Sequence, residues 1–134
     1  MSNVINLAVQ AAALKGWAQQ VYGNGEMRVE IGLPSGRTQM IQLTPATDAD
    51  GDVAVFIWSL AGDMRAAGDP AGLLRWHTQL TYGHVVIHEE QVKVMHALHD
   101  ASATLPEVSK TLLCVGSAAD QIEQGAYGAG SDTL

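Results

Sequence analysis

The chain has 134 residues, 47% of them apolar and 16% charged, which is one domain's length with enough apolar side chain for a core and excludes a disordered chain. Seven Lys and Arg against fourteen Asp and Glu give a formal net charge of −7. That field repels phosphate backbones and anionic lipid, which sets nucleic acid and membrane surfaces aside as partners.

In chain order, the first predicted element is a helix over 3–22. Val4, Leu7, Ala8, Ala11, Leu14, Ala18, Val21 and Tyr22 recur at spacings of three and four, which puts them on one face. Ser2 or Asn3 supplies the N-cap, and Gly23 stands where a left-handed C-cap belongs. Trp17 falls off that stripe, near Ile5, Val9 and Ala13, as a second apolar edge.

The period then changes to two. Met27, Val29, Ile31 and Leu33 alternate with Glu26, Arg28, Glu30 and Gly32, a strand with one buried face. "PSG" at 34–36 is a turn, a second strand runs from Arg37 to Thr44, and "TDADGD" at 47–52 is another turn. "VAVFIWSL", 53–60, is a continuous apolar run, either buried on both faces or central in the sheet. Residues 61–68 read as a loop. Asp69-Pro70 then opens a short helix to Leu80, with Leu73, Trp76, His77 and Leu80 on one face. Tyr82-Gly83 breaks it. Two strands, 83–88 and 91–98, pair about Glu89-Glu90. "TLPE", 104–107, is a capping box that starts the last helix. Leu105, Val108, Leu112, Val115, Ala119 and Ile122 form its stripe, and Gly125 ends it. The expected fold is α+β in the order α-β-β-β-α-β-β-α, an antiparallel sheet packed against helices. One domain spans 1–124, and a flexible tail spans 125–134.

Cys114 is the only cysteine; within an apolar helical pattern it reads as a small hydrophobe. The N-terminus carries no basic leader, and no apolar run nears the ~20 residues that cross a bilayer. The expected setting is a reducing cytoplasm.

Four of the five histidines lie in "TYGHVVIHEEQVKVMHALHD", 81–100, and His77 lies just upstream. On a strand, His84 and His88 have Cα atoms about 13 Å apart, whereas two imidazoles on one zinc need ring nitrogens within about 3.5 Å. A shared ion is not expected. In the hairpin Val85, Ile87, Val92, Val94 and Leu98 share the core face, with His96 among them. His84, Val86, His88, Gln91, Lys93, Met95 and His99 share the other face. His96 is expected to be partly buried with one hydrogen bond. "DADGD", 48–52, lacks the later ligands of a calcium loop and reads as a turn. Ser35 and Ser59 sit in no nucleophile-elbow pattern, and the glycine-bearing turns are not phosphate loops. No catalytic, cofactor or metal residue is assigned.

Residues 69–124, with Leu73-Leu74, Tyr82-Gly83 and Ala119-Asp120, resemble the second half of the type III secretion chaperone-like superfamily, in particular its YbjN-like bacterial branch. "GRTQMIQL", 36–43, is similar to that family's second strand. The resemblance implies a small, acidic, cytoplasmic homodimer that binds a partner's extended segment on apolar grooves. The expected function is therefore a non-enzymatic protein-binding module, with Trp17, Trp76 and Tyr82 as candidate partner or dimer contacts. The alternative is a histidine-based metal-binding or small-ligand sensor domain.

Overall fold

The computed structural model describes residues 2–63, 75 and 80–127, without the side chains of 126 and 127. Among the described residues, two helices, α1 (Asn3–Lys15) and α2 (Leu105–Tyr127), accompany six strands: β1 (Ala18–Val21), β2 (Met27–Gly32), β3 (Thr38–Thr47), β4 (Val53–Asp63), β5 (His84–His88) and β6 (Gln91–His99). The strands form one antiparallel sheet in the order β1-β2-β3-β4-β6-β5. The α+β class and the antiparallel sheet packed against helices are as expected. The short helix expected over 69–80 lies outside the described residues except for Arg75, which is helical, and Leu80.

The first helix is shorter than its apolar spacing predicts. Ser2 caps it, its Oγ accepting from the Ile5 N–H at 3.0 Å. It ends at Lys15, because Gly16 turns left-handed at φ 72° and the Trp17 N–H closes back on the Ala12 carbonyl at 2.9 Å. Glycine enters that conformation without a Cβ clash and costs about 1 kcal/mol against alanine inside a helix. Residues 18–21 pair instead with β2, Ala18 opposite Glu30 and Val21 opposite Met27. This strand was not expected: Leu14, Ala18 and Val21 fit a helical stripe, yet Leu14 is 75% exposed and takes no part in the core.

Two further boundaries move. β3 runs on to Thr47 through Pro45, past the last pairing with β2 at Met27 opposite Leu43, where one side of the strand is already an edge and tolerates proline. β4 continues to Asp63 across an irregularity between Leu60 and Gly62, so residues 61–63 are strand rather than loop. The "VAVFIWSL" run is central, between β3 and β6.

All the apolar alternation closes on one sheet face. Met27, Val29, Ile31, Ile41, Leu43, Val55, Ile57, Val92 and Val94 are fully buried there against Val4, Ile5, Ala8, Leu112, Val115 and Ile122 of the helices. Gly116 lets α2 approach the sheet: a Cβ there would lie 2.3 Å from Ile31 Cδ1. Two polar side chains on this side, Gln39 and Ser59, are paired. Gln39 Nε2 donates to Ser59 Oγ at 2.9 Å and to the Leu60 carbonyl at 3.1 Å, and Ser59 Oγ donates to the Met40 carbonyl at 2.7 Å.

The N-termini of α1 and α2 are both capped. Thr104 Oγ1 accepts from the Glu107 N–H at 3.4 Å, as the capping box predicts. Asp100, between β6 and α2, accepts from the α1 N–H groups of Asn3 at 3.1 Å and Val4 at 2.9 Å. A carboxylate at that positive helix end ties the chain's beginning to its last third. α2 passes through Gly125 to Tyr127, beyond its expected end.

Candidate functional site

Strand geometry forces every second side chain to the other sheet face, and no described element packs there. The registers place Arg28 opposite Gln42, Gln42 opposite Trp58, Thr44 opposite Phe56, Trp58 opposite Met95, and Leu60 opposite Lys93. Met40, Phe56, Trp58, Leu60 and Met95 are thus half-buried side chains on an open face. Trp58 is held from two sides: its indole N–H donates to Thr44 Oγ1 at 3.2 Å, and Lys93 Nζ stands 4.2 Å from its ring centroid. Beside it lies a cleft of about 340 Å³ bordered by Arg28, Met40, Gln42, Trp58, Leu60 and Gln91. Apolar floor and donor-rich rim are the composition that recognition surfaces use.

Where α2 meets the start of β3, Arg37 closes the cleft. Its Nε is 2.8 Å from Asp120 Oδ1 and its Nη2 is 3.9 Å from Glu123 Oε1. Both carboxylates are almost fully buried, and Asp120 Oδ2 also accepts from Gln124 Nε2 at 3.1 Å. This pairing holds α2 to the β2–β3 turn and leaves the Glu123 carboxylate next to a guanidinium.

The predicted contacts divide. Trp17 is half-buried and packs against the core. Tyr82 is half-buried, its ring 5.4 Å from His96 with Lys110 Nζ 5.4 Å above it. Trp76 and His77 lie outside the described residues. Trp58 is absent from the predicted contacts. The signal was present, because in a central strand with Val55 and Ile57 inward, Phe56 and Trp58 must point outward. Which face the helices cover was the missing fact.

The hairpin turns about Glu89-Glu90 as expected, with Val85 opposite Val94 and Ile87 opposite Val92, and Glu89 (φ 51°) and Glu90 (φ 64°) are both left-handed; Ile87, expected on the core face, is 48% exposed on the edge strand. His84 and His88 occupy opposite ends of β5. His88 Nε2 is 3.9 Å from Glu89 Oε1, and His99 Nδ1 is 3.4 Å from Ser102 Oγ. His96 faces inward opposite Ile57, but its buried Nδ1 has no hydrogen-bond partner, contrary to expectation. Its contacts are rings, Tyr82 and His84 at 6.4 Å. Burial, and then the neighbouring His84, hold its pKa below the ordinary 6.5, against an opposing pull from Glu107.

Among the described residues, the side chains close enough to share a metal ion are Asp48, Asp50 and Asp52, and all three are exposed. Asp48 Oδ1 already accepts from the Asp50 N–H at 2.9 Å and the Asp52 N–H at 3.0 Å, so its carboxylate builds the β3–β4 turn. Among the described residues no helix is long and apolar enough to cross a membrane. No protein-family model and no curated protein matches the chain.

Proposed function

We propose that the protein is a non-enzymatic protein-binding module that takes an extended segment of a partner on the open sheet face. The observation that carries this reading is Trp58, oriented by Thr44 and Lys93 in the central strand, on a face no described element covers. An aromatic side chain held in one orientation binds with little further loss of conformational freedom. Met40, Phe56 and Leu60 beside it offer apolar contact, and Gln42 and Gln91 offer amide hydrogen bonds to a backbone. The type III secretion chaperone-like resemblance, its YbjN-like branch and its homodimeric habit belong to the same proposal.

Affinity capture with the wild-type chain, a Trp58→Ala variant and a Leu14→Ser control tests the reading. Wild type and Leu14→Ser should retain a common set of bound proteins that Trp58→Ala loses. Identical retention by all three would count against the open face. Light-scattering mass tests the homodimer, and a monomer at all concentrations would remove that part.

A further inference from the structure

We propose that the segment bound on the open face carries carboxylates beside its apolar side chains. This rests on the binding reading above and names the partner's chemistry. The chain as a whole has twice as many acidic as basic residues, yet the cleft is different. Its acidic member, Glu123, is buried and paired with Arg37. Its exposed charged member is Arg28, which forms no ion pair with a described residue. Lys93 adds a second cation over the Trp58 ring. Gln42 and Gln91 add amide donors to the same rim, and Met40, Trp58 and Leu60 line the floor. A guanidinium and an ammonium flanking an apolar floor match a carboxylate next to an aliphatic group, since Arg pairs with carboxylate in a planar fork. Glu30 stands two residues from Arg28 on the same strand face and borders a neighbouring shallow cleft with it. It limits the site to one or two carboxylates and disfavours a polyanion.

The molecule's net charge makes the test stringent. A charge of −7 attracts a cationic peptide everywhere on the surface, so preference for an anionic one can come only from a local site. Two short labelled peptides, alternating Leu with Glu and Leu with Lys, are titrated against the full chain by fluorescence anisotropy at about 0.15 M salt, where screening acts over about 8 Å. The Leu-Glu peptide should bind about tenfold more tightly, a margin one charge-assisted contact supplies. Arg28→Glu should abolish or reverse that preference with thermal melting unchanged, and Trp58→Ala should weaken both peptides. Equal or tighter binding of the Leu-Lys peptide, or an Arg28→Glu variant that keeps the preference, overturns the inference. If Trp58→Ala still loses captured proteins, the binding reading survives that result. Binding of neither peptide also overturns it. A single-stranded oligonucleotide that competes through Arg28 as well as the Leu-Glu peptide does would assign the site to nucleic acid instead.

Discussion

The two faces of the sheet share the same strands and differ in almost everything else. On the covered face Val55 and Ile57 are fully buried and Ser59 is satisfied by Gln39 and Met40. On the open face their immediate neighbours Phe56, Trp58 and Leu60 are only half-buried. One strand of continuous apolar character therefore supplies stability with its odd residues and, with its even ones, a half-buried face that no described element covers. Apolarity by itself does not mark a core position; the presence of a second layer does.

The largest test of this contrast truncates adjacent residues. Ile57→Ala should cost about 2–5 kcal/mol in urea unfolding, the range for a buried aliphatic deletion. Trp58→Ala should cost clearly less, about 1–2 kcal/mol, because the removed ring is already half in water. Equal losses would mean the open face is as packed as the covered one. Next comes the point where a turn meets α2. Asp120→Ala should cost about 2 kcal/mol, below the 3–5 kcal/mol of a fully buried pair, because the Arg37 side chain is 27% exposed. A loss within error would remove the pairing from the stability of the covered face.

Asp100→Ala should cost about 1–2 kcal/mol by uncapping α1. Amide exchange should rise in the first turn of α1, at Asn3 and Val4, while the open-face strands stay protected. Glu90→Gly should stabilise by about 0.5–1 kcal/mol, since glycine adopts φ 64° without the Cβ penalty. Unchanged stability would show that the turn carries no strain.

The smallest effect is a pH slope. His96 has a lowered folded pKa, so the unfolded chain binds more protons as pH falls below 6.5. Its contribution is therefore intact above that value and is lost as pH falls towards the folded pKa. Urea midpoints measured from pH 7.5 down to about 5 should fall less steeply in His96→Leu than in wild type. Parallel slopes would remove His96 as a cause.

Much of this was legible in residue order. Period-two alternation at 27–33, the cap residues Ser2 and Thr104 and the Glu89-Glu90 hairpin depend on neighbours within a few positions, and all appear where the pattern puts them. The end of α1 was misread because helical spacing and strand pairing both accept Leu14, Ala18 and Val21. The decision lay with Gly16 and with a partner strand whose paired residues lie six to twelve positions further on. The bare Nδ1 of His96 and the Asp100 cap on α1 were invisible for the same reason, since each joins segments far apart in sequence.

Local propensity and hydrophobic period determined the class of this protein, five of its six described strands and where most of those strands begin, because those terms are summed over near neighbours. Only the tertiary structure decided that both described helices lie on one side of the sheet. That choice buries Ile57 and puts Trp58 on the face that no described element covers, and it follows from how two helices can close over a twisted sheet, not from the character of either residue.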